Sequence, residues 1–254
     1  MHMPLWLQAG LWGLVGGSAL VLGAAIAWFT SLSQRAIASV MAIGSGVLIS
    51  AVAFDLMDEA YRLGGFDSTS LGFLGGAAIY TAANIIITRR GAKHRKRSGH
   101  NPDESQAAAG SSGLAIAVGA LLDGIPESVV IGVGLLAGKG VSLVTVAAVF
   151  LSNVPEGLSS AAGMRRAGRG AAYVFGVWGG IAVVSGLAAM LGNVALEGAN
   201  PEIIAATTAV AAGAILAMLA DTMIPEAFES THEFSGLITV AGFLLAFILT
   251  KLGG

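Results

Sequence analysis

Residues 5–29 read LWLQAGLWGLVGGSALVLGAAIAWF, a run without one ionisable side chain. An α-helix needs about 20 apolar residues to cross the hydrocarbon of a bilayer, and this run supplies them. Seven further stretches of the same kind follow, at about 36–61, 70–88, 112–136, 141–164, 171–192, 203–226 and 235–253. They are about twice the length of a barrel strand and do not alternate polar with apolar, so helices are expected rather than strands. The whole chain agrees. Of its 254 residues 55% are hydrophobic and only 11% charged, against roughly 25% charged in a soluble domain. Mean hydropathy is +0.80. A soluble enzyme, a disordered chain and a nucleic-acid binder are excluded, and an all-α polytopic membrane protein of eight transmembrane helices is expected, folded as one domain over 1–254.

Glycine is abundant, with 37 residues, and cysteine is absent. In lipid, small residues let helices approach closely, so the glycines predict a tight bundle whose faces would also suit a homodimer. Without cysteine there are no disulfides, zinc thiolates or thiol nucleophiles. The first run has no Lys or Arg before it and no small-residue cleavage pattern after it, so it reads as a retained span rather than a signal peptide.

Cations set the orientation. With both termini external, the inner connections carry Arg35, then Arg89, Arg90, Lys93, Arg95, Lys96 and Arg97, then Arg165, Arg166 and Arg169, ten of the thirteen Lys and Arg. The long polar connection at about 89–110 holds His94 and His100. Two readings stand for it: a metal-gathering loop, and a flexible basic linker that meets anionic lipid. Short loops point to a bacterial inner membrane.

Ionisable groups inside spans cost roughly 2.5–3.5 kcal/mol each on insertion scales, so each needs a reason. The fourth segment contains Leu122-Asp123-Gly124-Ile125-Pro126-Glu127-Ser128, and the fifth Leu151-Ser152-Asn153-Val154-Pro155-Glu156-Gly157. Asp123 aligns with Ser152, Pro126 with Pro155 and Glu127 with Glu156. Residues four apart share a helix face, so Asp123 with Glu127, and Ser152 with Glu156, form two polar ladders. Each proline removes one backbone hydrogen bond and is expected to kink its helix beside the carboxylates. Neither segment contains a Lys, Arg or His. Protons shared for packing, or a bound cation, must neutralise the acids. Carboxylate, amide and hydroxyl oxygens together make a divalent-cation ligand set.

The second and seventh spans end alike, in Asp58-Glu59-Ala60 and Pro225-Glu226-Ala227. In that alignment Asp55 and Asp221 fall one position out of register. The two likenesses together predict a 3+2+3 pseudo-symmetric bundle of the sort that frames midplane sites in transporters. Asp55 and Asp221 lie deeper and read either as pathway residues or as interfacial acids. Asp58, Glu59, Glu226 and Glu229 read as solvated charges at span ends.

These features resemble the ZIP (Zrt-, Irt-like protein) family over essentially the whole chain. The specific part is narrow: Asp123-Gly-Ile-Pro-Glu127 and Asn153-Val-Pro-Glu156-Gly157. The resemblance implies transport of divalent transition metals into the cytoplasm, zinc first and also iron or manganese, through a site on the fourth and fifth helices. Glu127 and Glu156 would be its two carboxylates and Asn153 a polar ligand. Ser152 occupies a place where the family commonly has His or Gln, Asp123 one where it usually has His. Asp55 lies near a family position often held by His. Gly124, where a polar side chain is common, and the absence of glutamate from span six argue against a second metal position. Exchanging imidazole for carboxylate shifts preference toward harder cations, while zinc still accepts oxygen ligands.

The expected function is therefore non-enzymatic: metal transport, with the divalent ion as substrate and lipid as the other partner, and no nucleic acid. Two other classes remain open, a proton- or sodium-coupled carrier of another solute, and an intramembrane hydrolase with an aspartyl dyad of Asp123 and Asp55 or Asp221.

Overall fold

The structure, a computed structural model, describes residues 3–89, 112–137, 140 and 142–253. The basic connection with His94 and His100 lies outside the described residues, as does Lys139. Among the described residues the chain is all helix, with no strand. Helix α1 spans Leu5–Phe29, α2 Gln34–Ala51, α3 Met57–Arg89, α4 Ser112–Gly134, α5 Leu143–Arg166, α6 Ala171–Leu196, α7 Pro201–Met218, α8 Ile224–Thr231 and α9 Ser235–Gly253. Two π-helical segments, Val52–Leu56 and Leu219–Met223, join α2 to α3 and α7 to α8.

Among the described residues, five helical stretches are long and apolar enough to cross a membrane: Leu5–Phe29, Gln34–Arg89, Leu143–Arg166, Ala171–Leu196 and Pro201–Leu252. Large apolar side chains such as Leu71, Leu74, Leu237 and Val240 stand exposed along their outer faces, a pattern that water penalises and lipid does not. The chain is an α-helical membrane protein.

Two of these stretches are compound and built alike. Aligned from Gln34 and from Pro201, each runs through an 18-residue helix, a five-residue π segment and a short helix carrying Glu-Ala. Each then breaks, at Gly65 (φ 68°) in the first and at His232 (φ 43°) in the second. Glycine adopts such a backbone without steric cost; histidine does so only under constraint. Beyond the breaks the partners are exchanged. Gly242 of α9 lies against the Ile43 carbonyl of α2, and Gly76 of α3 against the Val210 carbonyl of α7. Ile43 and Val210 are equivalent in the alignment, so the two contacts are images of each other.

Packing sorts the helices into two groups. Helix α1 packs against α5 and α6, and α6 against α4. A Cβ on Gly23 would run into the Val154 carbonyl, and one on Gly157 into that of Leu20. Fully buried Trp178 and Leu158 centre this group's apolar cluster. Arg165, at the end of α5, donates to the carbonyls of Ala27 (2.8 Å), Trp28 (2.7 Å) and Thr30 (3.1 Å), closing the C-terminus of α1 with a cation where the helix dipole favours one. The second group pairs α3 with α7 and α2 with α9 around Leu48, Tyr80 and Ile215. The groups meet along a thinner seam, chiefly α2 against α5 and α4 against α7.

Candidate cation site

Helices α4 and α5 run through Pro126 and Pro155 without interruption. Around the prolines the polar side chains turn inward. Asp123 and Glu127 on α4 are each 1% exposed, and Ser152, Asn153 and Glu156 on α5 are 1%, 3% and 5% exposed. Burial of this depth for three carboxylates inside an apolar bundle is costly without neutralisation.

Ser152 joins the two helices. Its hydroxyl donates to the Val149 carbonyl at 2.9 Å and lies 3.5 Å from Glu127 Oε1. Asn153 is anchored to α1, where its Nδ2 donates to the Gly16 carbonyl at 3.1 Å. That bond orients the amide, and its buried Oδ1 has no hydrogen-bond partner among the described residues. A buried acceptor without a donor is uncommon in native structures. Asp123 is held from the other group of helices: the Tyr80 hydroxyl of α3 donates to its Oδ1 at 2.7 Å.

Glu156 faces a small cavity of about 10 Å³, which it lines with Met41, Ser159, Thr222, Met223 and Glu226. That volume is close to the space one water needs. Ser159 donates to Glu226 Oε1. Glu226 is only 6% exposed; the expectation of a solvated charge at a span end is corrected here. The π segment before α8 adds a residue to the turn and rotates the following helix, carrying Glu226 round to α5. Its repeat equivalent, Glu59, lines a second cavity of about 10 Å³ with Leu56, Val130, Ser142, Thr145 and Thr208. Leu56 and Thr208 are the repeat equivalents of Met223 and Met41, so the two cavities are images of each other. The Glu-Ala alignment already pairs Glu59 with Glu226; nothing in hydropathy marks Glu226 as buried or Glu59 as half-buried.

The other acids part ways. Asp55, half-buried in the first π segment, accepts from Thr145 Oγ1 at 3.1 Å and lies 3.4 Å from Ser142 Oγ. It thus adjoins the Glu59 cavity. Asp221, in the second π segment, is exposed and accepts from Asn84 Nδ2 at 3.3 Å, away from the α4–α5 pair. The one-residue offset between these aspartates survives in the structure, since the π segments align and Asp55 falls opposite Thr222. Asp58 is exposed and paired with Arg62 at 3.3 Å, and Glu229 is exposed, as solvated charges would be. His232 is exposed at the second break, its ring edge-on to Phe228.

Among the described residues no group of three or more His, Asp and Glu side chains stands close enough to hold a metal ion. The α4–α5 cluster is accordingly no preformed cage of carboxylates. Its oxygens come in mixed kinds, two carboxylates, an amide and a hydroxyl, with Asp123 drawn toward α3. The dyad expected of an aspartyl hydrolase would need two carboxylates sharing a proton; Asp55, Asp123 and Asp221 are held by three separate sets of donors. No model of a known protein family matches the chain, and no curated protein matches it.

Proposed function

We propose that the protein carries divalent transition-metal cations across a membrane into the cytoplasm, zinc, manganese or iron being the substrate, through Asp123, Glu127, Ser152, Asn153 and Glu156. The observation that carries this reading is the burial of three carboxylates beside an oriented amide whose oxygen has no donor. An all-oxygen set suits manganese and iron and still admits zinc. Because no three acids yet converge, binding draws Glu127 and Glu156 together around the ion, and any protons they hold leave as it binds.

Eight crossings in a 3+2+3 order fit this function. A helix of 56 residues would be roughly 84 Å long at 1.5 Å per residue, against about 30 Å of hydrocarbon. Gln34–Arg89 and Pro201–Leu252, broken at Gly65 and His232, therefore each supply two crossings, and α4 supplies the eighth. The exchanged pairing of α2 with α9 and α7 with α3 supports a two-fold relation between the outer triplets. The positive-inside rule then favours both termini outside, and the short connections suit a bacterial inner membrane. The Glu59 and Glu226 cavities become approaches to the site from opposite sides. Rocking of the α1–α4–α5–α6 group against the other along the thin seam exposes the site to each in turn.

Flux of zinc and manganese into proteoliposomes tests the reading. Glu127→Ala with Glu156→Ala is expected to abolish protein-dependent flux, and unchanged flux overturns the site. A carrier of an organic solute gains no thermal stability from micromolar metal, whereas a metal carrier gains about 2.7 kcal/mol at a hundredfold excess over Kd.

A further inference from the structure

Side-chain contacts bridge the seam between the two helix groups at carboxylates: Asp55 with Thr145 and Ser142, Asp123 with Tyr80, and Glu226 with Ser159. The middle one involves a ligand of the proposed site. Tyr80 is 1% exposed, in the apolar cluster that also holds Ala211, Ile215 and Ala246. Helices α3 and α4 otherwise touch only lightly, so the bond is not incidental to an extensive interface. A phenol hydroxyl placed in such surroundings needs a partner, and here it donates to an acid of the opposite group.

The pair is also one-sided. With Gly76 equivalent to Gly242, Tyr80 falls opposite Ala246, and Asp123 falls opposite Ser152. Neither half of the pair is repeated in the image position, although the neighbouring cavities are. The tie therefore does not follow from the repeat; it is specific to the α3–α4 side.

Resting on the transport reading above, we propose that Tyr80 is a positioning residue of the cation site: its hydroxyl holds Asp123 in the orientation that receives the ion, and links the occupancy of that carboxylate to the position of α3. A hydroxyl donated to a carboxylate oxygen restricts its rotamers, which raises affinity for a cation without the tyrosine touching it.

The test uses the full chain in proteoliposomes, with zinc and manganese as separate probes and initial rates measured against concentration. Tyr80→Phe keeps the ring and removes the hydroxyl. It is expected to raise KM about tenfold, the loss expected for one hydrogen bond to a charged group, with the maximal rate within about twofold. Asp123→Asn is expected to raise KM at least as much, and Tyr80→Phe added to it to have little further effect, because both act through one bond. An unchanged KM in Tyr80→Phe, or effects of the two substitutions that multiply, overturns the assignment. So does a fall in maximal rate and melting temperature at constant KM, the mark of a merely structural tyrosine. Should Tyr80→Phe fail to accumulate, Tyr80→Met fills the same space and takes its place with the same expected outcomes. If the wild-type protein carries neither ion, the transport reading fails and this assignment with it. If it carries one and Tyr80→Phe is silent, the assignment alone fails.

Discussion

Asn153 joins two tasks in one amide. Its nitrogen donates to the Gly16 carbonyl and ties α5 to α1, while its oxygen is buried with no hydrogen-bond partner among the described residues. Asn153→Ala removes both at once, and the two losses are separable by measurement. The orphaned Gly16 carbonyl is expected to lower stability by about 1–3 kcal/mol, visible as a lower melting temperature in detergent. The missing ligand oxygen is expected to lower zinc or manganese flux about tenfold below saturation, since one good oxygen ligand is comparable to one charge-assisted hydrogen bond. A variant that melts earlier but transports normally would confine Asn153 to packing. Asn153 was conspicuous in the chain because it precedes Val-Pro-Glu in a doubled motif. Glu226 was not. It lies close to the end of an apolar run, and the residue that the preceding π segment adds to the turn rotates it toward Ser159.

Between elements, glycine decides what can touch. Gly23 and Gly75 are both interior to helices, yet their surroundings differ. A Cβ at Gly23 meets the backbone of α5 at Val154 and Leu158, and one at Gly75 meets nothing within 4 Å. Gly23→Ala is expected to push α1 from α5 and cost about 1–3 kcal/mol as an overpacked contact. Gly75→Ala is expected to be neutral or to gain about 0.5–1 kcal/mol, the ordinary helix advantage of alanine. Thermal unfolding of the two variants beside the wild type checks the contrast; equal effects would mean that the α1–α5 approach is looser than drawn. Composition announced that close packing was intended, since small residues recur in most apolar runs. Which glycine faces which carbonyl was not readable, because all 37 look alike along the chain.

For the whole molecule the testable property is orientation. The chain has no cysteine, so single cysteines report cleanly on sidedness. In intact cells, Met3→Cys and Leu252→Cys are expected to react with a membrane-impermeant maleimide, and Ser98→Cys, in the basic connection outside the described residues, only after permeabilisation. The opposite pattern would invert the proposed direction of entry, and labelling of one terminus alone would remove an even number of crossings.

Hydropathy along the chain determined the helical class, the membrane, and much of the helix ends: 5–29 and 235–253 are the observed α1 and α9, and α6 starts at the expected residue 171. It did so because lipid imposes a local requirement, that every stretch crossing it be apolar and satisfy its own backbone. The doubled Pro-Glu motif likewise singled out side chains that are buried together, because a charge in an apolar run is conspicuous wherever the helix packs. Tertiary structure alone decided the partners: Tyr80 on Asp123, Ser159 on Glu226, α2 with α9 and α3 with α7. Helices in lipid gain nothing from hydrophobic exclusion of one another, and pair through close van der Waals fit and individual hydrogen bonds. Such terms depend on three-dimensional shape and leave no period in the sequence.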